Sequence, residues 1–338
     1  MGKIREVVLK VNDYTRNIVY EIYPINRKFT IILGDSASGK TDLCNTVKYI
    51  KNNKDDKNYK VDISETQISG LSFENSNSIE FDVNVLEDRD DYLHIIKNSK
   101  NTIFLLDDSC KIPNNIDFRD AILESTNYAI IMRRKKLVPY QISIYAMYEL
   151  ETRKNVIKST LAYFVSDHTS EDILFKDDNT MALTEDSEDG LKLLEKVIPG
   201  ITTSNGNYNI KNCINTSTRV VFIDAEAGGN YIQEIEEIRH SGIYKFALVA
   251  PLSFEHALLK AIRYGKYLQE KFKDTYDRLF NYDAQYAFPY NSIDYNKTCQ
   301  SVEQFFKEVY KSVVCEDVVN ANYNDTKELI KSMYTRKE

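Results

Sequence analysis

Phe29-Thr30-Ile31-Ile32-Leu33-Gly34-Asp35-Ser36-Ala37-Ser38-Gly39-Lys40-Thr41-Asp42 is the stretch on which the reading of the fold turns. Its first five residues form a short apolar, partly β-branched run, which reads as a buried strand. Gly34 and Gly39 then let the backbone curl so that successive N–H groups converge on one point. From Asp42 to Lys51 the pattern continues as a helix, whose N-terminus adds its positive end to the same point. Lys40 supplies a mobile positive charge, and Thr41 a hydroxyl of the kind that ligates Mg²⁺. Strand, glycine-rich turn and helix in this order fit the phosphates of ATP or GTP with Mg²⁺. The expected contacts are Gly34, Asp35, Ser36, Ala37, Ser38, Gly39, Lys40, Thr41 and Asp42.

Outward from this loop, the apolar run Ile103–Leu106 ends on Asp107-Asp108. A carboxylate at that strand end is expected to hold Mg²⁺ through water, which assigns Asp107. In many ATPases with such a loop the next position is a glutamate that orients the attacking water; Asp108, one methylene shorter, predicts by that likeness slow hydrolysis or help from another residue. A solvated strand end is the plainer reading of the pair. The next apolar run, Tyr128–Met132, leads to Arg133 and Arg134, positioned to sense a γ-phosphate or simply to carry surface charge. Catalytic candidates are therefore Lys40, Asp107, Asp108 and Arg133, with Thr41 and Asp107 as metal ligands. No Asn-Lys-x-Asp guanine-reading motif occurs, which favours ATP.

Alternating runs at Arg5–Val11 and Ile18–Tyr23 predict two antiparallel strands ahead of the loop. Further strands are expected at Tyr59–Ile63 and Gln141–Leu150, and a helix at Phe118–Ser125. Strands alternating with helices, several apolar throughout, indicate an α/β fold with a parallel sheet covered on both faces. A polar, acidic stretch, Ser166–Asn179, reads as a linker between residues 1–165 and a second, smaller α/β domain at 180–265. Strands are predicted there at Thr180–Thr184, Pro199–Ser204, Val220–Ile223 and Phe246–Pro251. Helices are predicted at Gly190–Val197, Ile232–Arg239 and Phe254–Phe280. Residues 266–338 read as a C-terminal helical segment, with helices at Val302–Val314 and Thr326–Tyr334, able to cap the second domain or form a dimer interface.

At 338 residues the chain can bury two cores. No apolar run is long enough to cross a bilayer, and the N-terminus has no signal core. Gly2 fits a myristoylation pattern poorly. Cys44, Cys110, Cys213, Cys299 and Cys315 are odd in number and lack metal spacing, which argues for a reducing cytoplasm. With a net charge of −7, any nucleic-acid contact must use a local patch, of which Arg133-Arg134-Lys135-Lys136 is the densest basic run. The four histidines show no ligand spacing.

The two strands before Gly-Asp-Ser-x-x-Gly-Lys-Thr resemble the ABC-type branch of P-loop ATPases, which includes the SMC, RecF and OLD proteins. The likeness covers about the first 150 residues, the part that carries the P-loop. It also looks like small ATP-binding proteins of Gram-positive mobile elements. The Leu-Ser-Gly-Gly-Gln signature of that branch has only Ile68-Ser69-Gly70-Leu71-Ser72 as a counterpart. In the second domain, Leu183-Thr184-Glu185-Asp186 and Ile223-Asp224-Ala225-Glu226 are similar in order and spacing to a Toprim domain, the metal-binding module of topoisomerases, primases and OLD-type nucleases. Asp186 stands in place of the motif's glycine, and Glu226 in place of its second aspartate. The likeness implies Glu185, Asp224 and Glu226 as Mg²⁺ ligands, with Glu255 of Ser253-Phe254-Glu255-His256 as a further acidic member. The plainer reading makes Glu185–Asp189 a helix start and Asp224 a strand end.

Two functions remain open at this point. One is an ATPase acting on DNA or RNA in nucleic-acid processing or phage and mobile-element defence, its ATP site regulating a Toprim-like nuclease. The other is a nucleotide-switched interaction protein with slow turnover and a protein partner or second copy of itself. A nucleoside kinase fits less well, for want of an Arg-rich lid.

Overall fold

The structure is a computed structural model. It describes residues 5–25, 27–35, 37–67, 81–134, 142–163, 165–175, 181–225, 229, 231–251, 253–254, 257–258, 261 and 322–335. These fall into two compact units. One lies within residues 1–140 and 145–162, and the other within 141–144, 163–287 and 300–338.

The first unit is built on a nine-stranded mixed sheet. Its strands are β1 (Arg5–Asp13), β2 (Ile18–Ile25), β3 (Phe29–Leu33), β4 (Tyr59–Gln67), β5 (Asp82–Val85), β6 (Thr102–Leu106), β7 (Tyr128–Arg133), β8 (Met147–Arg153) and β9 (Val156–Leu161). Their order is β4-β1-β2-β9-β8-β3-β7-β6-β5. From β8 through β3, β7 and β6 to β5 all neighbours run parallel. Every residue of β3, β6 and β7 is buried, as expected of parallel strands covered on both faces. The helices of this unit are α1 (Lys40–Asn52), α2 (Tyr92–Asn98) and α3 (Ile116–Glu124). Leu43, Cys44 and Val47 of α1 join Leu9, Ile22, Ile32, Leu105 and Ile130 in one core.

The N-terminal strands β1 and β2 are antiparallel, as expected, and β4 extends them on the far side of β1. The sequence reading of Gln141–Leu150 as one strand is revised. Ile144–Ala146 forms a single 3-10 turn, and the strand starts only at Met147. It then folds back as an antiparallel hairpin with β9, in which Arg153 pairs with Val156. The two-residue turn puts Lys154 at φ 58°, a place that Asn-Gly or Asp-Gly would have announced and Lys-Asn does not. Strand β9 runs parallel to β2 and so joins the antiparallel strands to the parallel part of the sheet.

The second unit holds a four-stranded parallel sheet of β10 (Met181–Thr184), β11 (Thr202–Thr203), β12 (Thr218–Phe222) and β13 (Ala247–Val249), in the order β11-β10-β12-β13. Its short helices are α4 (Glu171–Phe175), α5 (Asp189–Glu195) and α6 (Ile210–Cys213), followed by the helix Ile232–His240. The chain leaves β10 toward one edge of the sheet and β12 toward the other, so the connections part between these two neighbours. Residues 166–175, expected as linker, belong to this unit. Ser166 bridges Val249, Thr169 bridges Thr335, and α4 follows. The C-terminal helix Tyr323–Tyr334 starts on Asn322, whose side chain accepts the Asp325 N–H. It buries Leu329, Ile330, Met333 and Tyr334, with the Tyr334 ring 4.7 Å from that of Phe222 on β12. Leu329 is fully buried, so Leu329→Ala should lower the stability of this unit by about 2–5 kcal/mol in a denaturant titration.

Of the predicted helix Phe254–Phe280, only Phe254, Ala257, Leu258 and Ala261 are described, all helical. The predicted helix Val302–Val314 and the stretch Ile68–Ser72 lie outside the described residues. Among the described residues no helix is long and apolar enough to cross a membrane.

Candidate functional site

Strand β3 hands directly into the loop, since the Gly34 N–H donates to the Arg133 carbonyl at 3.1 Å and so continues the β3–β7 ladder by one step. A Cβ at Gly34 would stand 2.8 Å from Ser38 Oγ and 3.3 Å from Lys40 Nζ, so the loop closes where only glycine leaves room. Gly39 has φ 92°, and its missing side chain faces Ile157 and Tyr20. Ala37 also lies in the left-handed region, at φ 69°. Ser36 lies outside the described residues.

Lys40 opens α1 and is 6% exposed. Its ammonium donates to Gly34 O at 2.5 Å, Asp35 O at 2.9 Å and Ser38 Oγ at 2.8 Å. The charge is thus folded back into the cradle of its own loop. Burial lowers its pKa, opposed by the nearby carboxylates of Asp108, Asp107 and Asp35. No side chain caps the N-terminus of α1, because Gly39 has none to offer. The first-turn N–H groups and the helix dipole therefore face the same place as the ammonium. One residue on, Thr41 Oγ1 lies 3.1 and 3.3 Å from the two carboxylate oxygens of Asp107, which directly follows β6. The sequence candidates Lys40, Thr41 and Asp107 are therefore brought together.

Arg133, the last residue of β7, and Arg134 after it differ in a way that the sequence did not reveal. Arg133 is buried, and its guanidinium donates to the carbonyls of Met132, Asp107 and Cys110 at 2.9, 3.3 and 3.1 Å. It fixes the turn that presents Asp107 and Asp108. Arg134 is exposed, and it meets Asp108 twice: its backbone N–H reaches Oδ1 at 3.1 Å and its Nε reaches Oδ2 at 3.0 Å. Lys135 and Lys136 lie outside the described residues.

Two supports of this site were missed in the sequence. Asp88, three residues past β5 and beyond the buried Leu86, accepts from the N–H groups of Lys111 and Ile112 at 2.8 and 3.2 Å and from the Cys110 thiol at 3.3 Å. Burial acts to raise its pKa, but these donors win and hold it below the usual carboxylate range. In the β1–β2 turn, Arg16 pairs with the buried Asp13 at 2.5 Å, donates to Thr46 Oγ1 at 2.9 Å and lies 3.6 Å from Asp42. The turn is thereby fastened to α1 at Asp42 and Thr46. Asp13 followed three residues later by Arg16 was the only available signal, and it reads as any polar turn.

In the second unit, Glu185 directly follows β10, and Asp224 lies two residues past β12. The Glu185 carboxylate accepts the Asp224 backbone N–H, and Asp224 Oδ1 accepts the Phe254 N–H at 2.8 Å. Both residues stand at the carboxyl ends of the two strands between which the connections part, the place where open α/β sheets take their ligands. Asp186 folds over Gly190; a Cβ there would be 2.6 Å from the Asp186 carboxyl carbon. Glu226, Glu255 and His256 lie outside the described residues. Among the described residues no three His, Cys, Asp or Glu side chains form a metal-binding group. Cys44, Cys110 and Cys213 are free thiols, while Cys299 and Cys315 lie outside the described residues.

No protein-family model, curated protein or solved structure matches the chain.

Proposed function

We propose that the first unit is a P-loop ATPase that binds ATP with Mg²⁺ in the loop Gly34–Thr41 and cleaves its γ-phosphate. The observation that carries this reading is the meeting of Thr41 with Asp107 beside the buried ammonium of Lys40. A hydroxyl and a carboxylate at hydrogen-bond distance are a donor pair suited to a hard divalent cation, and these two residues would hold Mg²⁺. When bound, the ion neutralises charge on the β- and γ-phosphates.

The chain's own groups account for the rest. Phosphate oxygens take over the ammonium of Lys40, which turns from its loop carbonyls to a better acceptor. The open N–H groups at the start of α1 take the phosphate that enters the loop. Arg133, buried on three carbonyls, keeps Asp107 and Asp108 in place while charge builds up. In a titration with ATP and Mg²⁺ followed by phosphate release, Asp107→Asn should lower turnover by roughly 100-fold or more, given the several kcal/mol that a metal contributes. Unchanged turnover in that variant would remove the reading.

For the second unit we propose a Toprim-like, Rossmann-like module in which Glu185 and Asp224 would hold Mg²⁺ for cleavage of DNA or RNA, in nucleic-acid processing or defence against phages and mobile elements. The support is their placement at the switch point of the sheet. A second reading, a nucleotide-switched interaction protein with slow turnover, is favoured by one observation: both oxygens of Asp108 are taken up by Arg134.

A further inference from the structure

The pair formed by Asp108 and Arg134 can do more than slow the reaction. We infer that Arg134 is a positioning residue that withholds Asp108 until a γ-phosphate arrives, and then exchanges the carboxylate for the phosphate. The inference rests on the ATPase reading above.

The two contacts between these residues differ in kind. Asp108 Oδ1 is held by the backbone N–H of Arg134, which β7 fixes in place, while Oδ2 is held by the side chain alone. The Arg134 side chain is 66% exposed, against 23% for that of Asp108, so the guanidinium is the partner free to leave. Arg133 cannot take this part, since its guanidinium is buried on backbone carbonyls. Both Asp108 and Arg134 lie within electrostatic reach of the Lys40 ammonium, where the phosphate chain would end. A γ-phosphate brings more negative charge and more acceptor oxygens than one carboxylate, and it offers a guanidinium a two-pronged partner.

When the guanidinium moves to the phosphate, Oδ1 stays on its N–H and Oδ2 is released toward the attacking water. The water oxygen forms a bond to the γ-phosphorus as the bond to the β–γ bridging oxygen breaks. That electron pair leaves with ADP, and the water's proton passes through Oδ2 to the inorganic phosphate. With ADP alone the exchange has no partner, and the carboxylate stays held.

The test is a double-mutant cycle on the full chain, with a non-hydrolysable ATP analogue and ADP as probes, in wild type, Asp108→Asn, Arg134→Ala and the double variant. Neutralising Asp108 removes the competitor for the guanidinium. Affinity for the analogue should then rise about fivefold more than affinity for ADP, the scale of an exposed ion pair, with an unchanged melting curve as the control for folding. In the Arg134→Ala background the same change should give no gain, and Arg134→Ala alone should weaken the analogue but not ADP. A gain of equal size with and without Arg134 would mean plain charge repulsion and would overturn the inference. So would the absence of any gain. If wild type binds neither nucleotide, or Lys40→Ala binds as well as wild type, the ATPase reading itself fails.

Discussion

Lys40→Ala should lose ATP and ADP binding by about two to four powers of ten, measured by equilibrium titration, and with it all phosphate release. Two charge-assisted hydrogen bonds to phosphate oxygens contribute roughly 1.5–3 kcal/mol each, and each 1.4 kcal/mol is about a factor of ten. The starting geometry makes so large an effect reasonable. The ammonium already lies inside its own loop, on Gly34 O, Asp35 O and Ser38 Oγ, and would exchange these neutral acceptors for charged phosphate oxygens. The fold should tolerate the change, because the lost contacts are hydrogen bonds to a loop and the core of α1 rests on Leu43, Cys44 and Val47. A melting curve equal to that of wild type, together with lost binding, is the expected pair of results. Binding within tenfold of wild type would show that phosphates do not enter this loop.

The second large effect concerns Asp224. In a plasmid-nicking and RNA-cleavage assay with Mg²⁺ or Mn²⁺, Asp224→Ala and Asp224→Asn should both abolish metal-dependent cleavage, since neither retains the charge that a cation needs. The two should differ in stability. Asparagine keeps an oxygen for the Phe254 N–H, whereas alanine loses this start of the helix at a cost of about 1 kcal/mol. Cleavage that survives in the asparagine variant would assign Asp224 a purely structural part. The absence of cleavage in wild type, with or without ATP, would favour the interaction protein over the nuclease.

What the sequence made legible is local. The loop could be read because strand, glycines, lysine and helix are contiguous, and Asp107 could be placed because it closes an apolar run. What it hid depends on residues far apart in the chain. Strand β7 is buried along its whole length, so its pattern has no alternation from which to tell that Arg133 turns inward and Arg134 outward. Asp88 looked like one more acid in a polar stretch; its role exists only because Cys110, Lys111 and Ile112 come to it from another strand end. Arg16 becomes part of the site only once β1 and β2 lie beside α1. In the second unit the Toprim likeness pointed to Glu185 and Asp224 at strand ends, but the parting of the connections between β10 and β12 was not read, and the tie between the two residues runs through a backbone N–H, which no residue pattern records.

The pairing of β2 with β9 also sets a timetable for a chain made from its N-terminus. The loop that opens α1 is synthesised early, but Gly39 rests against Ile157, and β3 is flanked on one side by β8. Until the ribosome has delivered both late strands, β2 and β3 each lack a neighbour, and the glycine cradle has no floor. Such long-range pairing is slow to form and leaves sheet edges open to wrong partners in the meantime. A nascent chain thus carries every residue of the proposed phosphate loop well before that loop can take the form in which it would grip a nucleotide. On that reading competence would come as a late event, gained when the hairpin of β8 and β9 slots in.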